Sequence, residues 1–209
     1  MSRPRKGRVS VADPLDQTRG YWDSSYLKFL LDDQSGWSQS VYAEAYYHGA
    51  KTLTRSLRRG RWGGTRRDAG VIPILFLWRH HLEISLKIII ANIADYEDVA
   101  CPPIESTHNL VHLWGLARRG LEELVLDAEE MTAIARAVKS FSEFDPDSQA
   151  FRYPRLKGGK RAAPGLDLVE TRGLDRAMTR VAKALEMARY GLDGLLYERD
   201  EARRSSEWA

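Results

Sequence analysis

The chain has 209 residues, 43% of them hydrophobic and 29% charged, with 32 basic against 29 acidic side chains and a formal net charge of +3. That length fits one domain, with or without extensions, and the balance is too mild to mark a nucleic-acid binder by charge alone. The single cysteine, Cys101, excludes an intramolecular disulfide and a thiolate-rich metal site, and it fits a reducing cytoplasm.

Residues 1–19 carry Arg3, Arg5, Lys6 and Arg8 among Pro, Gly and Ser and are expected to form a flexible basic arm. The arm has no apolar run and does not read as a secretory signal. Tyr21 to Leu31 is aromatic-rich and predicts a short helix begun by Asp23 or Ser24. A longer helix is expected over 38–59, with Val41, Ala45, Leu53 and Leu57 as its apolar spacing. Gly60 ends it, and GRWGGTRRDAG follows as a Gly-rich loop. Arg58, Arg59, Arg61, Arg66 and Arg67 surround Trp62 there, a combination suited to stacking and holding single-stranded nucleic acid, although a solvated loop has the same composition. No Gly-Lys-Ser/Thr follows, so these glycines do not make a phosphate loop.

Residues 71–94, VIPILFLWRHHLEISLKIIIANIA, predict the long helix around which the rest packs. Leu75, Leu82, Leu86, Ile89 and Ile93 fall on one stripe with Trp78 at its edge, and Leu77, Ile84, Ile88 and Ala91 form a second. Arg79, His80, His81, Glu83 and Lys87 interrupt the run long before the roughly 20 apolar residues a membrane span needs, so a cytoplasmic protein is expected. Arg79, His80, Glu83 and Lys87 share one seam between the stripes, and His81, Ser85 and Asn92 share the other. The first seam reads either as an internally paired or solvated polar edge, or as a site. An Arg, a His and a carboxylate on one face have the chemistry to bind phosphate and move protons.

DYEDVACPPIES is a connector stopped by Pro102 and Pro103, after which Thr107 is placed to cap the helix HNLVHLWGLARRGLEEL. Leu110, Leu113, Trp114, Ala117 and Leu121 take its inner face, and His108, His112 and Arg119 the outer one. His108 and His112 have zinc-ligand spacing, but Asn109 stands where a zinc protease needs its glutamate, so no metal is expected. Asp127 and Glu130 form a capping box for AEEMTAIARAVKSFSEF. The following stretch to Glu170 is broken by Pro and Gly and predicts an irregular loop or a small hairpin around Gly158 and Gly159. Arg152, Arg155, Lys157, Lys160 and Arg161 make it basic. A last helix is expected over 173–198, with Leu174, Val181, Leu185, Ala188, Leu192 and Leu195 inward, and residues 200–209 as a frayed tail. The fold class is therefore all-α, an antiparallel helical bundle over 20–199 with a basic loop between its last two helices.

Three pieces in fixed order, LEISLKIIIANI (82–93), THNLVHLW (107–114) and FRYP (151–154), resemble the HEPN superfamily of helical domains found in prokaryotic toxin and defence systems. Glu83, Leu86 and Lys87 match its E-x-A-L-K-A-L-L helix, and His108, Asn109 and Leu110 match T-H-D-L with Asn for Asp. Arg152, Tyr153 and Pro154 match a short R-Y-P element. The resemblance covers about residues 40–198 and implies a homodimer that acts on or binds RNA or nucleotides without a cofactor, with any active cleft at the dimer interface. Ribonuclease members carry an Arg followed after four to six residues by a His. None of the five histidines here, at 48, 80, 81, 108 and 112, has that Arg before it.

Metal-independent RNA cleavage would have to use other residues, and Arg79, His80, Glu83, His108 and His112 are the candidates. Phosphate contacts fall to Arg58, Arg59, Arg61, Arg66, Arg67, Arg152 and Lys157. The enzyme reading expects His80 and His108 to face each other in a cleft lined by Arg79 and Arg152. A non-catalytic module that dimerises or docks a partner nuclease or nucleotidyltransferase, or a basic transcription-associated binder, would show scattered histidines instead.

Overall fold

The computed structural model describes residues 39–60, 63–124 and 126–207. The basic arm, the Tyr21–Leu31 segment, Arg61, Trp62 and the side chains of Arg66 and Arg67 lie outside the described residues. Among the described residues six helices follow in order: α1 Gln39–Arg58, α2 Thr65–Ala69, α3 Val71–Tyr96, α4 Leu110–Leu124, α5 Ala128–Phe144 and α6 Thr171–Glu207. Among the described residues there is no strand, and the 145–170 segment contains one isolated antiparallel bridge, Arg155 to Arg161. None of these helices is long and apolar enough to cross a membrane.

The fold is a helical bundle with α3 at its centre, packed against α1, α4 and α6, while α4 packs on α5 and α5 on α6. The expected stripe of α3 is buried throughout: Leu75, Trp78, Leu82, Leu86, Ile89 and Ile93 all belong to the core. Its second stripe is buried less than expected. Leu77, Ile84 and Ile88 are half-buried and Ala91 is exposed, whereas Ile74, Ile90 and Ala94 are buried. Pro73 is tolerated because it sits in the first turn, where its missing N–H would have had no partner. In α1 the buried face is Ala43, Ala50, Thr54 and Leu57, not the expected Val41, Ala45 and Leu53. Small residues let α1 lie close to α3: Gly49 is 3.5 Å from Leu77 at the position its Cβ would take.

Gly120 of α4 faces Ile93 of α3 so closely that a Cβ there would stand 2.7 Å from Ile93 Cδ1. The two helices cross at this point because no side chain intervenes. The α4 terminus differs from expectation, since the cap is Asn109 and not Thr107: Asn109 Oδ1 accepts the backbone N–H of His112 at 3.0 Å. Asp127 caps α5 as expected, accepting from the N–H groups of Glu129 and Glu130 at 2.9 Å each.

Two further departures concern ends and loops. The Gly-rich loop contains the short helix α2. Residues 200–207, expected to fray, continue α6, which at about 1.5 Å per residue reaches roughly 56 Å. Two contacts tie this far end of α6 to the end of α3: Arg203 meets Asp98 at 3.3 Å, and Arg199 donates to the carbonyl of Tyr96 at 3.2 Å. In the basic segment, Leu156 N–H bonds to Lys160 O at 2.9 Å around Gly158 and Gly159, both at positive φ, so the chain reverses there as a short hairpin tip.

Candidate functional site

The polar seam of α3 is buried at one end and open at the other. Arg79 is fully buried and its guanidinium is spent on internal partners. Nη1 donates to Glu83 Oε2 at 2.8 Å, Nη2 to the carbonyl of His108 at 2.7 Å, and Nε to the carbonyl of Asp145 at 3.1 Å. The Asp145 carboxylate also stands 3.1 Å from Nε, but the N–H points to the carbonyl, so Oδ2 is a charge contact without a hydrogen bond. Asp145 Oδ1 accepts the N–H groups of Gln149 and Ala150, which folds the turn after α5 over Arg79. Arg79 therefore joins three separate stretches of chain: its own helix, the start of α4 and the turn at 145–150. It lines no cleft, contrary to expectation. A buried guanidinium is stable only when its donors are matched in this way.

Glu83 carries the seam outward. Its Oε1 accepts from Lys87 Nζ at 3.1 Å and from His108 Nδ1 at 2.8 Å, and Lys87 also donates to the carbonyl of Glu105 at 3.0 Å. Burial drives the Glu83 pKa up, but hydrogen bonds from His108, Lys87 and Arg79 outweigh it and hold the carboxylate below its ordinary range. An anionic Glu83 fixes the proton of His108 on Nδ1. With that proton on Nδ1, Nε2 is the ring atom left to accept.

His80 lies beside this pair, and its ring is clamped: it stacks on Phe76 at 5.5 Å and 12°, and meets the edge of Tyr46 at 4.4 Å. Burial lowers its pKa more than Glu83 raises it, and the nearby Arg152, Arg79 and His108 lower it further, so His80 is neutral near pH 7. Its Nδ1 is buried with no partner among the described residues. Arg152 reaches over the Phe76 ring, 5.9 Å from its centroid, with Nε donating to the carbonyl of Ser148. Its two Nη groups have no partner among the described residues.

The structure thus brings together Arg79, His80, Glu83, His108 and Arg152. It leaves out His112, which is exposed on α4 and makes no side-chain hydrogen bond among the described residues. Arg58 and Arg59 are exposed at the end of α1 and Lys157 at the hairpin tip; no contact among the described residues links them to His80 or His108. Asp145, Ser148, Phe76 and Tyr46 were not singled out in the sequence. The Asp–Pro–Asp–Ser run after α5 is a turn signal that marks Asp145, but nothing local says that it closes on an Arg 66 positions away. Among the described residues no three His, Cys, Asp or Glu side chains are arranged to hold a metal ion. The main cavities lie elsewhere, and none is lined by His80, His108 or Arg152.

Compared with known proteins, the chain matches no family model, no curated protein and no solved structure.

Proposed function

We propose that this chain is a HEPN-like component of a prokaryotic defence or toxin–antitoxin system that binds RNA on the face carrying His108 and Arg152. His108 would act there as a base in metal-independent cleavage. The reading rests on one observation: an exposed imidazole whose Nδ1 is anchored on a buried carboxylate, itself held by Arg79 and Lys87. A His oriented by a carboxylate is the arrangement that delivers Nε2 to a substrate proton.

In this reading His108 Nε2 takes the proton of a ribose 2′-hydroxyl. The O2′–P bond forms, the P–O5′ bond breaks, and the leaving O5′ takes a proton from solvent. Arg152 neutralises the charge that gathers on the phosphoryl oxygens. Arg79 and Glu83 are positioning residues.

The open face favours a second reading, a non-catalytic module that dimerises or docks a partner nuclease or nucleotidyltransferase. Arg79 and Glu83 are consumed internally, and none of the main cavities among the described residues is lined by His108. Incubating the protein with total RNA in chelator separates the two. Products ending in 2′,3′-cyclic phosphate, lost by about 100-fold or more in His108→Ala, support the enzyme. RNA binding that Arg152→Ala weakens, without cleavage, supports a binding role alone. A protein that neither binds nor cleaves RNA but elutes as a stable oligomer supports the interaction module and overturns the first reading.

A further inference from the structure

His80 of α3 is held in a clamp of aromatic rings. It stacks on Phe76, one turn before it, and Tyr46 of α1 meets it edge-on with 4.4 Å between centroids. Tyr46 and Phe76 also meet each other, edge to face at 6.4 Å, so the three rings close on themselves. Inside this clamp His80 Nδ1 is buried and has no hydrogen-bond partner among the described residues. A buried N–H without an acceptor is costly, so the neutral ring keeps its proton on Nε2 and a lone pair on Nδ1.

Protonation puts an N–H on Nδ1, where nothing accepts it, and a positive charge where no carboxylate is free. The charged groups that face the ring are Arg79 and Glu83 of α3, His108 just before α4 and Arg152 after α5, while α1 faces it with the Tyr46 phenol. Glu83 is the carboxylate among these groups, and it already accepts from Arg79, Lys87 and His108. Asp145, on the far side of this network, is taken by Arg79 and by the N–H groups of Gln149 and Ala150. A further cation at position 80 has no anion left to meet it.

Arg152 rests on the same rings. Its guanidinium lies 5.9 Å over the centre of Phe76, and its Nε donates to the carbonyl of Ser148. Phe76 thus carries a neutral imidazole and a guanidinium together. With an imidazolium in the first position, two cations share one ring, and their repulsion opposes the attraction each has for it.

We propose that His80 is an acid-operated latch: neutral, it closes the clamp with Tyr46 and Phe76 and seats Arg152 on Phe76, and protonated, it leaves the clamp and frees Arg152 from Phe76 and from the Ser148 carbonyl. Outside the clamp the imidazole has its ordinary value of 6.5; inside, burial first and then the neighbouring cations depress it against the pull of Glu83. Proton uptake therefore favours the open form only below 6.5, by up to about tenfold for each pH unit, and above 6.5 the latch stays closed. The device rests on the ring contacts and does not depend on what the His108 face binds.

The test follows two 15N signals of the full chain between pH 7.5 and 5: the His80 imidazole, assigned with His80→Gln, and the Arg152 guanidinium Nε–H, assigned with Arg152→Lys. The expected result is a sharp Arg152 Nε–H signal at pH 7.5 that is lost below 6.5 with the midpoint of the His80 titration. In His80→Phe, which keeps a ring in the clamp but takes no proton, the Arg152 signal should persist to pH 5. Should that variant fail to fold, His80→Gln should give an Arg152 signal that does not change across the same range. His108→Gln should leave the Arg152 response in place. The proposal is overturned by an Arg152 signal that persists while His80 titrates, or by the same loss in the His80 variants. A loss that disappears in His108→Gln, or no Arg152 Nε–H signal at pH 7.5, overturns it equally.

Discussion

His108 Nδ1 lies 2.8 Å from Glu83 Oε1, with the imidazole side chain 44% exposed and the carboxylate 2% exposed. One end of this contact is in the protein interior and the other is in water. Arg79 extends the same chain of contacts inward to Asp145, so that the start of α4, the middle of α3 and the turn after α5 are locked by one network. The network has two consequences: it stabilises the junction of three segments, and it presents His108 in one orientation.

Arg79→Met should destabilise the protein by about 3–5 kcal/mol, because it leaves the Glu83 and Asp145 carboxylates buried without their shared cation. Urea denaturation followed by circular dichroism measures the loss. A change below about 1 kcal/mol would mean that the turn at 145–150 opens to water at little cost and that the junction is not held by Arg79.

Stability should fall with acid in two stages. His80 and His81 have folded pKa values below the ordinary 6.5, so between those values and 6.5 the unfolded chain binds more protons than the folded one. Their contribution is complete above 6.5 and declines as pH drops below it. Glu83 is depressed from 4.5, so its contribution is intact above 4.5 and is lost as pH falls through its lower folded value. Urea midpoints between pH 8 and 3 should show both declines, with the first shallower in His81→Gln. A midpoint that stays flat from pH 7.5 to 5 contradicts the burial of neutral imidazoles.

Gly120→Ala should cost stability although alanine is the better helix former by about 1 kcal/mol. The new methyl would meet Ile93 Cδ1 at 2.7 Å and Cγ2 at 2.9 Å, and the Cγ2 contact lies too near the backbone to swing away. A net loss of about 1–3 kcal/mol is expected from overpacking. Combining it with Ile93→Ala should cost less than the sum of the two single changes; strict additivity would place the helices farther apart.

Asn109→Ala should lower stability by about 1 kcal/mol through loss of the α4 cap, while Asn109→Asp should preserve or raise it, since a carboxylate caps the same N–H and suits the helix N-terminus. Thermal melts of the two variants decide this. Equal losses in both would show that His112 N–H does not depend on the side chain at 109.

The helical bundle was legible in the sequence because it is set by spacing that repeats along each helix. Leu75, Leu82, Leu86, Ile89 and Ile93 announce the inner face of α3, and Leu110, Leu113, Ala117 and Leu121 that of α4. Local chemistry likewise marked the Asp127 cap. The grouping of Arg79, His80 and Glu83 on one seam followed from helical geometry, and the FRYP element supplied Arg152. Depth did not follow from any of these. That Arg79 is fully buried, that Asp145 receives it, and that His108 reaches Glu83 while His112 reaches nothing depend on contacts 25 to 66 positions apart. The end of α6 differs from expectation for the same reason, since Arg203 pairs with Asp98 just beyond α3 and Arg199, besides Asp200 in its own turn, reaches the Tyr96 carbonyl at the end of α3. Periodicity along one helix determines which residues can face inward. Which of them meet, and which remain in contact with water, is decided only when the helices pack.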